Sequence, residues 1–399
     1  MARKRWVKIP DVLFFQEGPG VRNTQYTNDG VKLLNVANLV DGKVDLSTSE
    51  RYISESEAYG KYSHFLCDEG DFIVASSGIK VEYIDKKMGF IDKSMLPLCM
   101  NTSTIRFKVL NPNELRIRYF MYYLKSQHFK GQLFKQITGS AQLNYGPSHL
   151  KKMDLPLIDI GDQDIIIERL DKLQRIIDYR QEEINKLDEL IKARFVEMFG
   201  DPISNPKGWN MVELGKLTGI GSSKRIFEKE YVTKGIPFYR TKEIVELSKG
   251  NSISTELYIT EERYAEIKEQ YGVPKAGDLL ISAVGTIGVI WIVDGKNDFY
   301  FKDGNLLRVD GSDDFNSVYM KNLLEHLIFE YKKQMSAGTA YAALTISGLS
   351  KMKVYVVPMD LQIQFADFVE QVDKSKVAVQ KSMYKTQLLF DSLMQKYFG

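Results

Sequence analysis

The stretch EMFGDP, residues 197–202, places Phe199-Gly200 near the middle of a 399-residue chain, and QKYFG, residues 395–399, places Phe398-Gly399 at its far end. The two pairs lie 199 residues apart. Sliding the chain by 199 extends the match backwards without a gap. Gly139-Ser140-Ala141 meets Gly338-Thr339-Ala340, Ser148 meets Ser347, and Leu150 meets Leu349. Lys152-Met153 meets Lys351-Met352, Gln163 meets Gln362, and Glu168 meets Asp367. Identity is low, so the constant offset carries the argument. Upstream the halves align more loosely: Trp6 with Trp209, Gly30-Val31 with Gly235-Ile236, and EGDFIVASSG (69–78) with AGDLLISAVG (276–285). The chain is one plan written twice, and a repeat constrains the fold before any single element does.

Each half ends in a helical pattern. Ile166, Leu170, Leu173, Ile177, Ile184, Leu187 and Ile191 keep the alternating four-three spacing of a heptad, with Arg180 as the interruption. Phe365, Val369, Val372, Val379, Met383, Thr386, Phe390 and Leu393 keep it in the second half, with Lys376 as the interruption. Each pattern predicts a helix of about 35 residues, ~52 Å long. A narrow heptad stripe calls for a partner helix, and the two stripes most simply pair with each other. The alternative is that each packs separately on its own domain. The stretches before the helices read as mixed α and β. DFIVASSG and DLLISAVG are strands entering Gly-containing loops, GVKLLNVANL and GIPFYRTKEI are short strands leaving a Gly turn, and residues 116–135 and 317–335 are helices.

Hydrophobic (44%) and charged (27%) fractions are those of a water-soluble globular protein. No apolar run approaches the ~20 residues of a membrane span, and the basic start has no apolar signal core behind it. Two cysteines without a C-x-x-C motif fit a reducing cytosol. The net charge of +2 is uneven: +5 over residues 1–160, −3 over 161–200, −1 over 201–360 and +1 over 361–399. Only the first block is mildly basic, so DNA contact in the second half needs a local basic face.

Several chemistries lack their signatures. No G-x-x-x-x-G-K-[ST] phosphate loop, G-x-G-x-x-G after a strand, or H-E-x-x-H is present. Asn111-Pro112 and Asn205-Pro206 are turn dipeptides rather than an amine-holding Asn-Pro-Pro-aromatic motif. Glu266-Ile267-Lys268 reads as a solvated helix face rather than a nuclease strand. The chain is therefore expected to be non-catalytic.

The repeated Trp start, GPGVRNTQYTNDGVKLLNVANL (18–39), GSAQLNYGPSHLKKMDLPL (139–157) and, most specifically, LDELIKARFVEMFGDPISNPKGW (187–209) resemble the specificity (S) subunit of type I DNA restriction–modification enzymes, in order along the whole chain. The family commonly opens each long helix with Glu-Gln, whereas Gln163 and Gln362 here follow Asp162 and Leu361. The resemblance implies an α+β chain with an internal pseudo-twofold repeat: target-recognition domains over 1–155 and 201–355, and long helices over 156–200 and 356–399 forming an antiparallel coiled coil. It implies that each domain reads one half of a split site on double-stranded DNA. It further implies docking of two methyltransferase (M) subunits carrying S-adenosylmethionine and of restriction/translocase (R) subunits using ATP and Mg. This chain would bind no cofactor or metal itself and would work in the prokaryotic cytoplasm, away from membranes. A coiled-coil scaffold that reads no DNA is the rival, supported by the weak basic balance.

Candidate contacts follow from chemistry. Arg22, Asn23, Gln25 and Tyr26 stand on a Gly-Pro loop, and Arg suits guanine as Asn or Gln suits adenine. Ser223, Lys224 and Arg225, and then Arg240 and Lys242, are phosphate candidates, which position without specifying. Lys80, Lys86 and Lys87 after Gly78 form a further candidate phosphate-facing loop. For each, a solvated polar turn is the competing reading. Tyr341 is read as a packing residue.

Overall fold

The computed structural model describes residues 4–136, 144–335 and 343–399; the matched segments 139–141 and 338–341 lie outside them. The chain divides into two units, one comprising Met1–Arg180 with Ser382–Gly399, the other Gln181–Lys381. The two long helices run over Ile160–Phe199 and Met359–Phe398, 40 residues each, or ~60 Å. Each unit therefore holds one globular stretch, the first half of one long helix and the second half of the other.

The first unit runs β1 (Arg5–Lys8), β2 (Leu13–Glu17), β3 (Val31–Leu34), β4 (Tyr52–Ile53), β5 (Phe72–Ala75), β6 (Met88–Phe90), β7 (Leu98–Met100), β8 (Thr104–Val109), α1 (Ile117–Lys125), α2 (Gln127–Gln136) and β9 (Asp154–Leu157), then enters the first long helix, α3. Its sheets are β2-β8-β5-β6, β4-β3-β7 and β1-β9, beside a short hairpin that pairs Leu39–Val40 with Lys43–Val44. All pairs are antiparallel except β3 with β7. Phe72, Phe107 and Phe120 fill the core beside β5 and β8, with Phe107 and Phe120 centroids 5.0 Å apart. The pattern over 116–135 predicts one helix, but two form. Ser126 adopts an extended conformation and its Oγ accepts from the Phe129 N–H (3.2 Å), which stops one helix and caps the next.

The second unit repeats the plan with β10 (Met211–Glu213), β11 (Ile220–Gly221), β12 (Ile236–Tyr239), α4 (Thr241–Ser248), β13 (Tyr258–Ile259), α5 (Glu261–Gln270), β14 (Leu279–Ser282), β15 (Ile290–Ile292), β16 (Tyr300–Phe301), β17 (Leu306–Val309), α6 (Ser317–Met335), β18 (Lys353–Tyr355) and the second long helix, α7. Apart from the Leu39–Val44 hairpin, the sheet orders correspond strand for strand: β11-β17-β14-β15, β13-β12-β16 and β10-β18, with β12 and β16 the parallel pair. Gly30 and Gly235 hold the same place before β3 and β12. Both have positive φ (+115° and +150°), and a Cβ on either would meet the carbonyl of Ile53 or Ile259 at 2.3 Å, so only glycine fits. Glu266 and Lys268 are exposed and Ile267 is buried on α5, which makes that triplet a solvated helix face.

One sequence alignment shifts. Lys8 pairs with Asp154, and Glu213 with Lys353. That register sets Met211, not Trp209, in the strand position of Trp6. Trp209 lies two residues earlier, where its indole Nε1–H donates to the Phe199 carbonyl (2.8 Å) at the end of α3. Trp6 instead stays half exposed against His128, centroids 4.6 Å apart.

Within each unit the two helix halves pair antiparallel and also enter the globular core. In the first, Arg169 Nη1 donates to Tyr397 OH (3.1 Å), and Ile166, Leu170, Phe390, Met394 and Phe398 are core residues, flanked by half-buried Leu173, Ile177 and Leu393. Phe398 reaches Tyr119, with centroids 5.1 Å apart. In the second, Ile191, Phe195, Phe199, Phe365, Val369 and Val372 are core residues beside half-buried Leu187, and Ile184 and Val379 are also buried. Lys376, which interrupts the heptad, pairs with Asp188 across the helices at 2.6 Å. Met383 is half-buried. The helices thus pair with each other and pack on the domains at once. Two buried glutamines fix where they start. Gln163 accepts from the Arg116 N–H (2.9 Å) and donates to the Ile158 carbonyl (2.9 Å). Gln362 accepts from the Asn316 N–H (2.8 Å) and donates to the Val357 carbonyl (2.8 Å). Loss of either amide would leave buried backbone groups unpaired, at about 1–3 kcal/mol each.

Candidate nucleic-acid interface

The loop over residues 18–30 of the first unit is built from three anchors. Gly18 lies so close to the Asn101 carbonyl that a Cβ would meet it at 2.1 Å. Val21 is buried, and Gln25 ties the turn together. Gln25 Oε1 accepts from the Arg22 N–H (3.0 Å), while its Nε2 donates to Glu57 Oε1 (2.6 Å) and Tyr62 OH (3.1 Å). The amide expected to be free for adenine is thus engaged within the protein. Tyr26 is half-buried, with the Arg51 guanidinium 5.3 Å from its ring centroid. Arg22 and Asn23 remain exposed, and Arg22 has no ion pair among the described residues.

The second unit reuses this scaffold with other side chains. Ile226 is buried as Val21 is, and Glu230 takes the part of Gln25, its Oε2 accepting from the Phe227 N–H at 2.8 Å. Glu230 Oε1 also pairs with Arg263 Nε (2.9 Å). Phe227 therefore stands where Arg22 stands, and Lys224-Arg225 correspond to Pro19-Gly20. The Lys224 N–H donates to Tyr300 OH (2.6 Å) and its Nζ sits 5.1 Å from the Tyr271 ring centroid. Arg225 is exposed and paired with Asp303 (2.8 Å), and Ser223 is half-buried, its Oγ without a partner among the described residues.

The repeat continues one step along the chain. After β3, the Asn35 N–H donates to the buried Asn38 side chain (2.9 Å); after β12, the Arg240 N–H donates to the buried Glu243 carboxylate (2.8 Å). Arg240 Nη2 and Lys242 Nζ also approach that carboxylate, at 3.3 and 3.4 Å. They share one negative charge and leave a net single positive charge. Both parallel strand pairs end in this region. Asn101, following β7, donates to Asn35 Oδ1 (2.9 Å), and the Lys302 N–H, following β16, donates to the Tyr239 carbonyl (2.9 Å). Lys224, Arg225 and Arg240 are thereby gathered at one end of β12 and β16.

Lys80, Lys86 and Lys87 line a single depression of about 390 Å³ with Val40, Asp41 and Tyr83. Lys86 Nζ lies 5.7 Å from the centroid of the exposed Tyr83 ring. Asn35, Arg51, Asn101, Tyr83 and Phe227 stand beside these candidates without having been singled out in the sequence. For Phe227 the usable signal was its place in the repeat; the others carry no local signature. Among the described residues no group of three or more His, Cys, Asp or Glu could hold a metal ion. No helix among them is long and apolar enough to cross a membrane. Cys67 and Cys99 are buried, which pushes their thiols up to about 12 and about 11.

Residues 8–189 and 206–388 each match the type I restriction modification DNA specificity domain. A candidate type I restriction enzyme specificity subunit of Haemophilus influenzae is 27% identical over 271 residues, covering 66% of this chain and 66% of that protein. The MjaVIII type I restriction enzyme specificity subunit of Methanocaldococcus jannaschii is 24% identical over 190 residues, 47% of this chain and 43% of that one. The matches thus span less than two thirds of either relative. Among solved structures, the S subunit of a type I restriction–modification system from M. genitalium has a TM-score of 0.52 at 17% identity, covering 100% of this chain and 96% of that one. A chain from a study of complex assembly and conformational transition in the type I R–M system has a TM-score of 0.54 at 16% identity, covering 99% and 97%. These two likenesses bear on the fold.

Proposed function

The chain belongs to the type I restriction–modification DNA specificity family, whose members are non-catalytic subunits, and we propose that it reads a two-part site on double-stranded DNA. In this reading the recognition domains are residues 1–155 and 201–355. The helices of 156–200 and 356–399 separate them and dock two methyltransferase subunits, which bring S-adenosylmethionine. Restriction/translocase subunits, with ATP and Mg, join that complex in the cytoplasm of a prokaryote.

The observation that carries the reading is one loop scaffold built twice, with different side chains exposed at matching positions: Arg22 in one unit, Phe227 in the other. A repeated backbone with changed exposed residues suits two related surfaces reading two different half-sites. Arg22, Asn23, Lys80, Lys86, Lys87, Lys224, Arg225, Arg240 and Lys242 are the proposed contacts. Gln25, Tyr26 and Ser223 shape the loops that carry them.

The test is the methylated motif of cells expressing this chain with its methyltransferase partner, read by single-molecule sequencing, together with gel shifts of the purified complex. Two short motifs separated by unread bases are expected. An uninterrupted motif, or a complex that binds all duplexes alike, would overturn the reading and favour the scaffold.

A further inference from the structure

Phe227 is 56% exposed. A single exposed phenyl ring needs no explanation by itself. Here, however, the backbone on both sides is fixed while the side chain is left free. The preceding Ile226 is buried, the Phe227 N–H is held by Glu230, and the Lys224 N–H is held by Tyr300. Glu230 is itself held by Arg263. The ring makes no aromatic pair among the described residues and joins none of the core clusters. The protein thus presents an apolar group on a rigid mount, at an entropic cost already met in folding.

The setting is cationic and aromatic. Lys224 and Lys229 are exposed on either side, and Lys224 lies over the exposed Tyr271 ring. Glu228 is the one exposed carboxylate on the same turn. The position is the one that Arg22 occupies in the first unit, where a guanidinium suits the acceptor edge of guanine. A phenyl ring cannot make hydrogen bonds to a base edge, and the apolar feature of the major groove is the C5-methyl group of thymine.

We propose that Phe227 is a specificity-determining residue of the second recognition domain and reads a thymine methyl group in the major groove. This rests on the DNA-reading function proposed above. The same backbone site would then select G·C through Arg22 in one half-site and A·T through Phe227 in the other.

The experiment uses the complex of this chain with its methyltransferase partner and duplexes carrying its methylated motif. Each thymine of the second half-site is replaced in turn by deoxyuridine, which removes only the methyl group. One replacement is expected to weaken wild-type binding about fourfold, the scale of one buried methyl group. Phe227→Ala should bind about tenfold more weakly and be indifferent to that replacement, whereas Phe227→Leu should retain part of the sensitivity. Wild-type binding that ignores every thymine-to-uracil change, a second half-site without thymine, or unchanged binding by Phe227→Ala would each overturn the proposal. A wild-type complex that distinguishes no duplex from another would instead remove the DNA-reading function beneath it.

Discussion

Truncating Phe398 to alanine should destabilise the first unit by about 3–5 kcal/mol. The ring is 1% exposed, and its centroid lies 5.1 Å from Tyr119 and 6.1 Å from Tyr123. Burial of a phenyl side chain accounts for about 1.5–3 kcal/mol. The aromatic contacts and the cavity left between helix and domain supply the rest. Phe199 offers the matched control in the second unit. It is fully buried and has three aromatic neighbours within 5.5 Å, namely Phe195, Tyr319 and Phe365. Phe199→Ala should therefore lie at the upper end of the same range. For a unit of about 200 residues each kcal/mol moves Tm by ~2–4 °C, so either change should lower a transition by roughly 6–20 °C. Urea titration and calorimetry measure both quantities. The two rings share no neighbour among the described residues, so the double variant should equal the sum within about 0.5 kcal/mol. A loss below about 1 kcal/mol for Phe398→Ala would refute the claim that the helix end is part of the domain core. Strong non-additivity would refute the separation of the two cores.

Arg22→Ala should cost about 1–3 kcal/mol of binding and relax one position of one half-site if the guanidinium meets a base; a phosphate contact would lower affinity for all sequences and reduce the salt slope by ~1. Salt titrations separate the two, and unchanged affinity at every salt concentration removes Arg22 from the interface. Four helix-forming residues inserted after Arg180 add ~6 Å of helix, so the unread spacer should lengthen by roughly two base pairs at ~3.4 Å each while the bases read stay the same. An unchanged spacer in the sequenced motif shows that the central helix does not set the separation. Cys67 and Cys99, with thiols pushed up to about 12 and about 11, should stay protonated and unreactive to a thiol reagent at pH 8 and react in denaturant. Because folding raises both values, their contribution to stability is complete below the ordinary thiol value near 9 and is lost as pH climbs towards 11–12; rapid labelling of the native chain at pH 8 would contradict that burial.

The repeat, the two helical seams and the paired glycines were legible in the sequence because each is a local constraint. A heptad stripe follows from the helix period, and Gly30 and Gly235 follow from a backbone that excludes a Cβ. All fifteen stripe positions, from Ile166 to Leu393, are buried or half-buried. The helices run further than the stripe, to Phe199 and Phe398, because the last turns face a domain core rather than a partner helix alone. Side-chain partnerships across long stretches of chain were not legible. Gln25 is occupied by Glu57 and Tyr62, and Arg225 by Asp303. Nor could residue order show that Trp209 and Trp6 hold different places. Sequence spacing records backbone period, whereas which polar group remains free for a ligand depends on the partners that folding brings to it.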